Sequence, residues 1–493
     1  MRSLKALLEV AGVPVNGPMP DRPVSQVTDD SREVRPGALF VAVRGAGADG
    51  HRFVAEAVRR GATAVLVEEE LSVPEGIAKV RVLATRPMLG PLAHAFAGAP
   101  SDRVRVVGIT GTKGKTTVAW LVQHLLSASG LPCGLIGTIC HRVGEEELPS
   151  GNTTPGAVAL QEMLARMAEQ GQAACAMEVS SHALDQQRVA GIRWACGIFT
   201  NLAPEHLDYH VSMEAYLEAK LRLFRSLPEG APAVINRDDP SFSLVHEASR
   251  GPSLTYSIRG EADLAAREPR MSLEGTSFQL RSPEGSFFIH STLLGSHNLE
   301  NLLAALGAAA ALGVPLRRAA EAVPTFRGVP GRLERIECGQ PFPVFVDYAH
   351  TDGSLRRVLE QLRSLSGRRI LTVFGCGGDR DRGKRPRMGR AAAELSNRVI
   401  VTTDNPRSEA PAAIAREILG GMEGTATPRE VLLDRREAIH TALELADENW
   451  LVLIAGKGHE GRQIFGGRTV PFDDRAVARE FLERRRVVRG CEV

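Results

Sequence analysis

The sequence predicts an α/β protein of three domains, the two larger ones built on mostly parallel sheets. Three observations predict this. A dense β-branched run at 104–109 passes at once into a glycine loop and then a helical stretch. Four apolar runs in the last third each end in a conspicuous polar loop, with helical segments between them. And 493 residues are too many for a single core.

The glycine loop is the clearest feature. Gly111, Thr112, Lys113, Gly114, Lys115, Thr116 and Thr117 lie between the run at 104–109 and a helical stretch at 118–129 that stops at Gly130. Strand, glycine loop and helix in that order form a phosphate cradle. Backbone N–H groups approach the anion, the helix N-terminus adds partial positive charge and Lys115 a full one. Thr116 is placed to bind Mg²⁺. The loop departs from the strict P-loop pattern, which wants glycine where Ile109 stands. The expected domains are therefore 1–98, a small α/β unit; 99–329, a P-loop-type ATPase domain; and 330–493, a doubly wound Rossmann-like domain.

Lys+Arg 60 against Asp+Glu 58 leaves a formal charge of +2. No global field draws in nucleic acid or an anionic membrane, so charged ligands must be held by local clusters. The seven cysteines, Cys491 among them, show no C-x-x-C pair. That pattern speaks against a zinc ribbon or a disulfide framework and fits a reducing compartment. The N-terminus is too short and too charged for a signal peptide, and no apolar stretch approaches a membrane span. A cytoplasmic, monomeric protein is expected.

In the first domain, strands are expected at 39–43, 64–67 and 80–83, with a helix at 54–59. Asp30, Ser31 and Arg32 read as turn chemistry. In the middle domain, Thr153 and Thr154 offer hydroxyls in a polar loop. Glu178 ends an apolar strand at 173–179, one strand from the phosphate loop. It suits the Mg²⁺ of a nucleotide, or is simply a strand-end carboxylate in water. Ser180, Gln186 and Arg188 fall in an expected loop. A strand at 195–200 opens onto 201–210, where two carboxylates and two histidines in six residues, Glu205, His206, Asp208 and His210, suit a hard cation or substrate before zinc. Ser212 caps a helix through Phe224. On its apolar face Lys220 either snorkels its amine outward or turns inward toward a metal, where carbamylation would remove the cost of burying the charge. Residues 253–292 read as a small β insertion. His297, Asn298 and Asn301 open a helix, either reading a base or ribose or capping it. In the last domain, runs at 344–346, 370–374, 399–402 and 451–454 should place their polar loops on one sheet edge, where basic residues and carboxylates together suit a zwitterionic ligand.

These residues resemble the Mur ligases, ATP-dependent amide-forming enzymes of peptidoglycan precursor synthesis. The matching stretches are 111–117, 178–182, 206–210, 297–301, Gly331-Arg332 and 347–350, in order along nearly the whole chain. Asp404-Asn405-Pro406-Arg407 resembles the signature of members that add meso-diaminopimelate rather than lysine. The resemblance implies addition of that diamino acid to UDP-N-acetylmuramoyl-L-alanyl-D-glutamate through an acyl phosphate. The alternatives are L-lysine as acceptor or another ligase of the Mur or folylpolyglutamate type.

It also implies roles. Gly111, Thr112, Lys113, Gly114, Lys115, Thr116 and Thr117 hold the ATP phosphates. His297, Asn298, Asn301, Arg332 and Asp347 hold adenine and ribose. Thr116, Glu178, His206 and carbamylated Lys220 surround two Mg²⁺ ions, and Lys115, Glu178, His206 and Lys220 are catalytic. Ser31, Thr153, Thr154, Ser180, Gln186 and Arg188 hold the UDP substrate. Arg380, Asp404, Asn405, Pro406, Arg407, Gly456 and Glu460 hold the diamino acid. Two departures stand out: Lys113 where the family often has asparagine, and Thr351-Asp352-Gly353 where it usually places a proline after threonine.

Overall fold

The computed structural model describes residues 2–15, 20–45 and 47–490, the last five of these by backbone alone; Cys491 lies outside the described residues. Three main sheets form, and the chain divides into two compact units. One comprises Met1–Glu268, Phe278–Ile289 and Ser296–Phe326; the other comprises Pro269–Ser277, His290–Gly295 and Arg327–Val493.

In the first unit, strands Gln26–Thr28, Ala38–Val41, Ala62–Val67 and Ala78–Arg81 make an all-parallel four-stranded sheet. The expected helix appears as Val54–Arg59. Both faces of the sheet are apolar and covered, as parallel sheets require. Asp30 accepts from the Arg32 amide and caps a 3₁₀ turn, Ser31–Glu33, so the turn chemistry is real.

The larger sheet has eleven strands. Its centre is the parallel set Cys133–Ile136, Ala174–Glu178, Arg105–Thr110, Trp194–Phe199, Ala233–Asn236. The helix after the phosphate loop, Lys115–Ala128, packs on this sheet beside helix Ser296–Ala311. The segment at 253–292 is no separate insertion. Strand Ser253–Ser257 pairs parallel to Ala233–Asn236, and Leu264–Ser272, Gly275–Ser282 and Gly285–Ser291 continue the same sheet outward. Nor is the segment after Glu178 a loop. Ser180 accepts from the Ala183 amide and caps a short helix, Ser181–Asp185.

In the second unit, strands Val344–Asp347, Trp450–Ala455, Arg369–Phe374, Arg398–Val401 and Arg429–Val431 lie parallel in that order, with Glu334–Arg335 antiparallel at one edge. Apolar clusters cover both faces. All four polar loops therefore leave from one edge. The departure at 351–353 is absorbed locally. Thr351 caps helix Asp352–Leu365 in a reciprocal capping box with Ser354, and Asp352 in the first turn suits the helix dipole. Strand Arg429–Val431 and the hairpin Arg462–Phe465 with Arg468–Pro471 had no reading in the sequence.

The buried pivot of this unit is Arg435. Its guanidinium pairs bidentately with Asp474, 2.7 Å on each arm, with both side chains fully buried. It also donates to the carbonyls of Ala455 and Thr403. The pair ties the starts of helices Arg435–Leu445 and Asp474–Gly490 to two strand ends. Arg435→Met should cost about 3–5 kcal/mol, because Asp474 is left buried and uncompensated. Faster amide exchange in strand Arg369–Phe374 would report it, while R435M/D474L should recover much of the loss.

Candidate functional site

The phosphate loop is held open by what packs against it. A Cβ on Gly111 would sit 1.9 Å from Thr200 Oγ1, and one on Gly114 would sit 2.4 Å from Asn301 Oδ1. Both glycines also have positive φ, so no other residue fits. Lys115 Nζ donates to the carbonyls of Gly111 and Thr112, at 2.9 and 3.0 Å. Thr116 Oγ1 donates to Glu178 Oε2 at 2.8 Å. Glu178 is fully buried, so it is not a strand end in water. Thr138 completes its shell, donating from its amide to Oε1 at 2.8 Å and from its hydroxyl to Oε2 at 3.1 Å. This assembly puts a hydroxyl and a carboxylate, two hard oxygen donors, beside the phosphate loop.

Lys220 turns inward rather than snorkelling. It is 1% exposed, with Nζ 3.1 Å from Gly111 O and 4.0 Å from the centre of the Tyr216 ring. Burial first, and then the charge of Lys115, push its ammonium well below the ordinary lysine range. The neutral amine is the form that reacts with carbon dioxide. His206 lies at positive φ in the following segment, its ring edge-on to His182 at 4.9 Å. Burial, opposed by Glu205, lowers its pKa. His210 is instead buried on Ser181 Oγ, at 2.9 Å. Among the described residues no three His, Cys, Asp or Glu side chains gather as a metal cluster.

Lys113 has a local partner: its ammonium lies 2.6 Å from Glu205, and its amide donates to Asn201 Oδ1. Thr112 bonds the 201–206 segment as well, through Ala203. Asn298 and Asn301 are buried in the first turns of helix Ser296–Ala311 and joined side chain to side chain at 3.0 Å, with His297 beside them. Thr117 lies in the first turn of the phosphate-loop helix.

Five of the six residues expected for the UDP substrate fall together. Thr154 Oγ1 donates to Glu178 O and accepts from the Ser180 amide. Arg188 donates to Thr154 O at 3.0 Å and to Gln186 Oε1 from two nitrogens. Thr153 meets Thr138 at 3.0 Å. Ser31 stands apart in the four-stranded sheet domain, 3.3 Å from Glu56.

In the second unit, Asp347 accepts from the amides of Leu333 and Ala349, and Arg332 lies over the Tyr348 ring at 4.8 Å. At the same sheet edge Asp404, Asn405 and Pro406 are buried, with Arg407 half-buried at φ 50. Arg407 donates to Gly378 O at 2.7 Å, and Asn405 Nδ2 donates to Glu460 Oε2 at 2.8 Å. Gly456, at φ +110, would bring a Cβ within 2.9 Å of Asp404 Oδ2. Arg380 is exposed on the neighbouring loop. Burial raises the Asp404 pKa. Burial also acts to raise Glu460, but Lys457 and Asn405 outweigh it and hold that carboxyl below its usual range. Thr138 was missed by the sequence reading; Glu205 stood there among the carboxylates of 201–210, while Asn201, Tyr216 and Lys457 were named only by their place in the chain. Lys457 lay in the polar loop 456–460 that follows an apolar strand, and its position there was its signal.

Three family profiles cover the chain: "Mur ligase family, catalytic domain" at 23–97, "Mur ligase middle domain" at 109–309 and "Mur ligase, glutamate ligase domain" at 331–458. The chain is 44% identical over 494 residues to the UDP-N-acetylmuramoyl-L-alanyl-D-glutamate–2,6-diaminopimelate ligase of a Synechococcus species, with 98% of this chain and 99% of the relative covered. It is 42% identical over 470 residues to the ligase of that name from Syntrophomonas wolfei, covering 95% and 96%. A solved structure of a ligase of that name superposes with TM-score 0.76 at 36% identity, covering 98% of this chain and 99% of the other. The fold is the three-domain α/β fold of that relative, and the chain belongs to the Mur ligase family.

Proposed function

We propose that the chain joins meso-diaminopimelate to UDP-N-acetylmuramoyl-L-alanyl-D-glutamate at the expense of ATP, giving ADP and phosphate. The similarity to ligases of that name supports the reaction, and the Thr116–Glu178 bond at the phosphate loop is the observation that carries it. The domains run 1–98 for the UDP end, 99–329 for ATP and 330–493 for the amino acid. The protein works as a cytoplasmic monomer. Among the described residues no helix is long and apolar enough to cross a membrane.

The D-glutamyl carboxylate attacks the γ-phosphorus of ATP, forming an acyl phosphate and releasing ADP. The amine of the diamino acid then attacks the acyl carbon, and phosphate leaves. Gly111–Thr117 cradle the phosphates, and Lys115 neutralises charge that builds on the transferring group. Thr116, Glu178, His206 and carbamylated Lys220 would hold two Mg²⁺ ions; the buried carboxylate and the adjacent hydroxyl suit such hard cations. When bound, the ions add Lewis-acid stabilisation of the phosphoryl oxygens. His297, Asn298, Asn301, Arg332 and Asp347 hold the nucleoside. Ser31 and the Thr153, Thr154, Ser180, Gln186, Arg188 group hold the UDP substrate. Arg380, Asp404, Asn405, Pro406, Arg407, Gly456 and Glu460 hold the acceptor, with Arg407 on a carboxylate and Glu460 on an ammonium.

Phosphate release and product mass, compared for meso-diaminopimelate, L-lysine and no amine, test the reading. Turnover with meso-diaminopimelate alone is expected, and preference for lysine would overturn the acceptor. Arg407→Ala should lower kcat/KM for the diamino acid by about a hundredfold and leave the KM for ATP unchanged. Lys220 should give a carbamate carbon signal after equilibration with ¹³C-bicarbonate. The signal should strengthen as pH rises through the depressed lysine pKa, because only the neutral amine reacts. Lys220→Arg should lack both the signal and turnover; a wild-type protein without the signal would sink the carbamate.

A further inference from the structure

Lys457 is fully buried, yet the reaction above does not use it. Its ammonium has three N–H groups and meets three acceptors: Arg462 O at 2.7 Å, Glu460 Oε2 at 2.9 Å and Asn405 Oδ1 at 3.2 Å. These belong to three chain segments: the loop after strand Arg398–Val401, the loop after strand Trp450–Ala455, and the hairpin strand Arg462–Phe465. Asn405 is fixed at both ends of its amide. Oδ1 accepts from Lys457 and from the Ile464 amide at 3.1 Å, while Nδ2 donates to Glu460 Oε2 at 2.8 Å. Rotating that amide would turn its NH₂ toward an ammonium and an N–H. Both donors to Glu460 thus fall on one oxygen, Oε2, and the side chain remains 31% exposed.

We propose that Lys457 is a positioning residue for the acceptor, locking Asn405 and Glu460 so that Glu460 Oε1 is presented to the second ammonium of a diamino acid. The inference rests on the acceptor reading given above. Lys457 does not touch the acceptor; it acts through Glu460, keeping that carboxylate ionised and in one orientation. The nearby cations on other segments have other partners. Arg407 is engaged with Gly378 O, and Arg435 is committed to Asp474.

The test compares wild-type protein and Lys457→Met with two acceptors, meso-diaminopimelate and L-2-aminopimelate. The second keeps both carboxylates and the reacting amine but lacks the distal amine. In the variant, KM for meso-diaminopimelate should rise at least about tenfold. KM for ATP, KM for the UDP substrate and kcat should stay within about twofold, and KM for L-2-aminopimelate should not move. An equal rise for both acceptors, or no rise, overturns the proposal. Should K457M fail to fold, K457M/E460Q against E460Q decides, because removing both charges leaves no stranded carboxylate. Equal KM for meso-diaminopimelate in those two proteins supports action through Glu460, and a further tenfold rise in the double variant overturns it. A wild-type protein that rejects meso-diaminopimelate overturns the acceptor reading itself, an outcome distinct from any behaviour of the Lys457 variants.

Discussion

The parallel register that sets Glu178 opposite Ile109 is the constraint on which the phosphate-loop region depends. Parallel neighbours end at the same edge, so the last residue of Ala174–Glu178 arrives beside the loop that leaves Arg105–Thr110. A carboxylate delivered there is buried, and a buried carboxylate needs donors. Thr116 and Thr138 supply them from two different segments. Slipping the register by one residue would turn Glu178 to the other face of the sheet and leave both threonines without their partner.

The same edge accumulates positive charge. Lys113, Lys115 and Lys220 all approach the loop, and each resolves its charge differently. Lys113 lies in solvent with Glu205 as its partner. Lys115 uses loop carbonyls. Lys220 is buried against Tyr216 and backbone, and burial, then the charge of Lys115, depress its pKa against the opposing charge of Glu205. A loop arranged this way has capacity for a polyanion.

The second unit meets the same problem with ion pairs around buried cations. Arg435 pairs with Asp474, and Lys457 with Glu460, both cations being fully buried. Such pairs contribute little net stability against apolar replacements, but they fix orientation, because a guanidinium fork or a three-donor ammonium accepts few arrangements. Rigid presentation of a few polar groups suits recognition of a small zwitterion better than a flexible charged surface does.

Local chemistry determined much of this protein from the sequence alone. Strand-loop-helix at 104–129, the Ser212 cap, helix Val54–Arg59 and the four polar strand ends were legible, because periodicity, capping and glycine geometry act over a few residues. What only the tertiary structure decided is long-range. The sequence left Glu178 between metal ligand and solvent, and Lys220 between surface and interior; packing of segments far apart in the chain buried both. It likewise gave no sign that Ser253–Ser257 joins the main sheet, since strand pairing partners are not encoded in a strand's own pattern. Thr138 carries no motif of its own and Lys457 was only one member of a polar loop, and their importance arises from the neighbours that folding supplies, where burial makes each hydrogen bond and charge count.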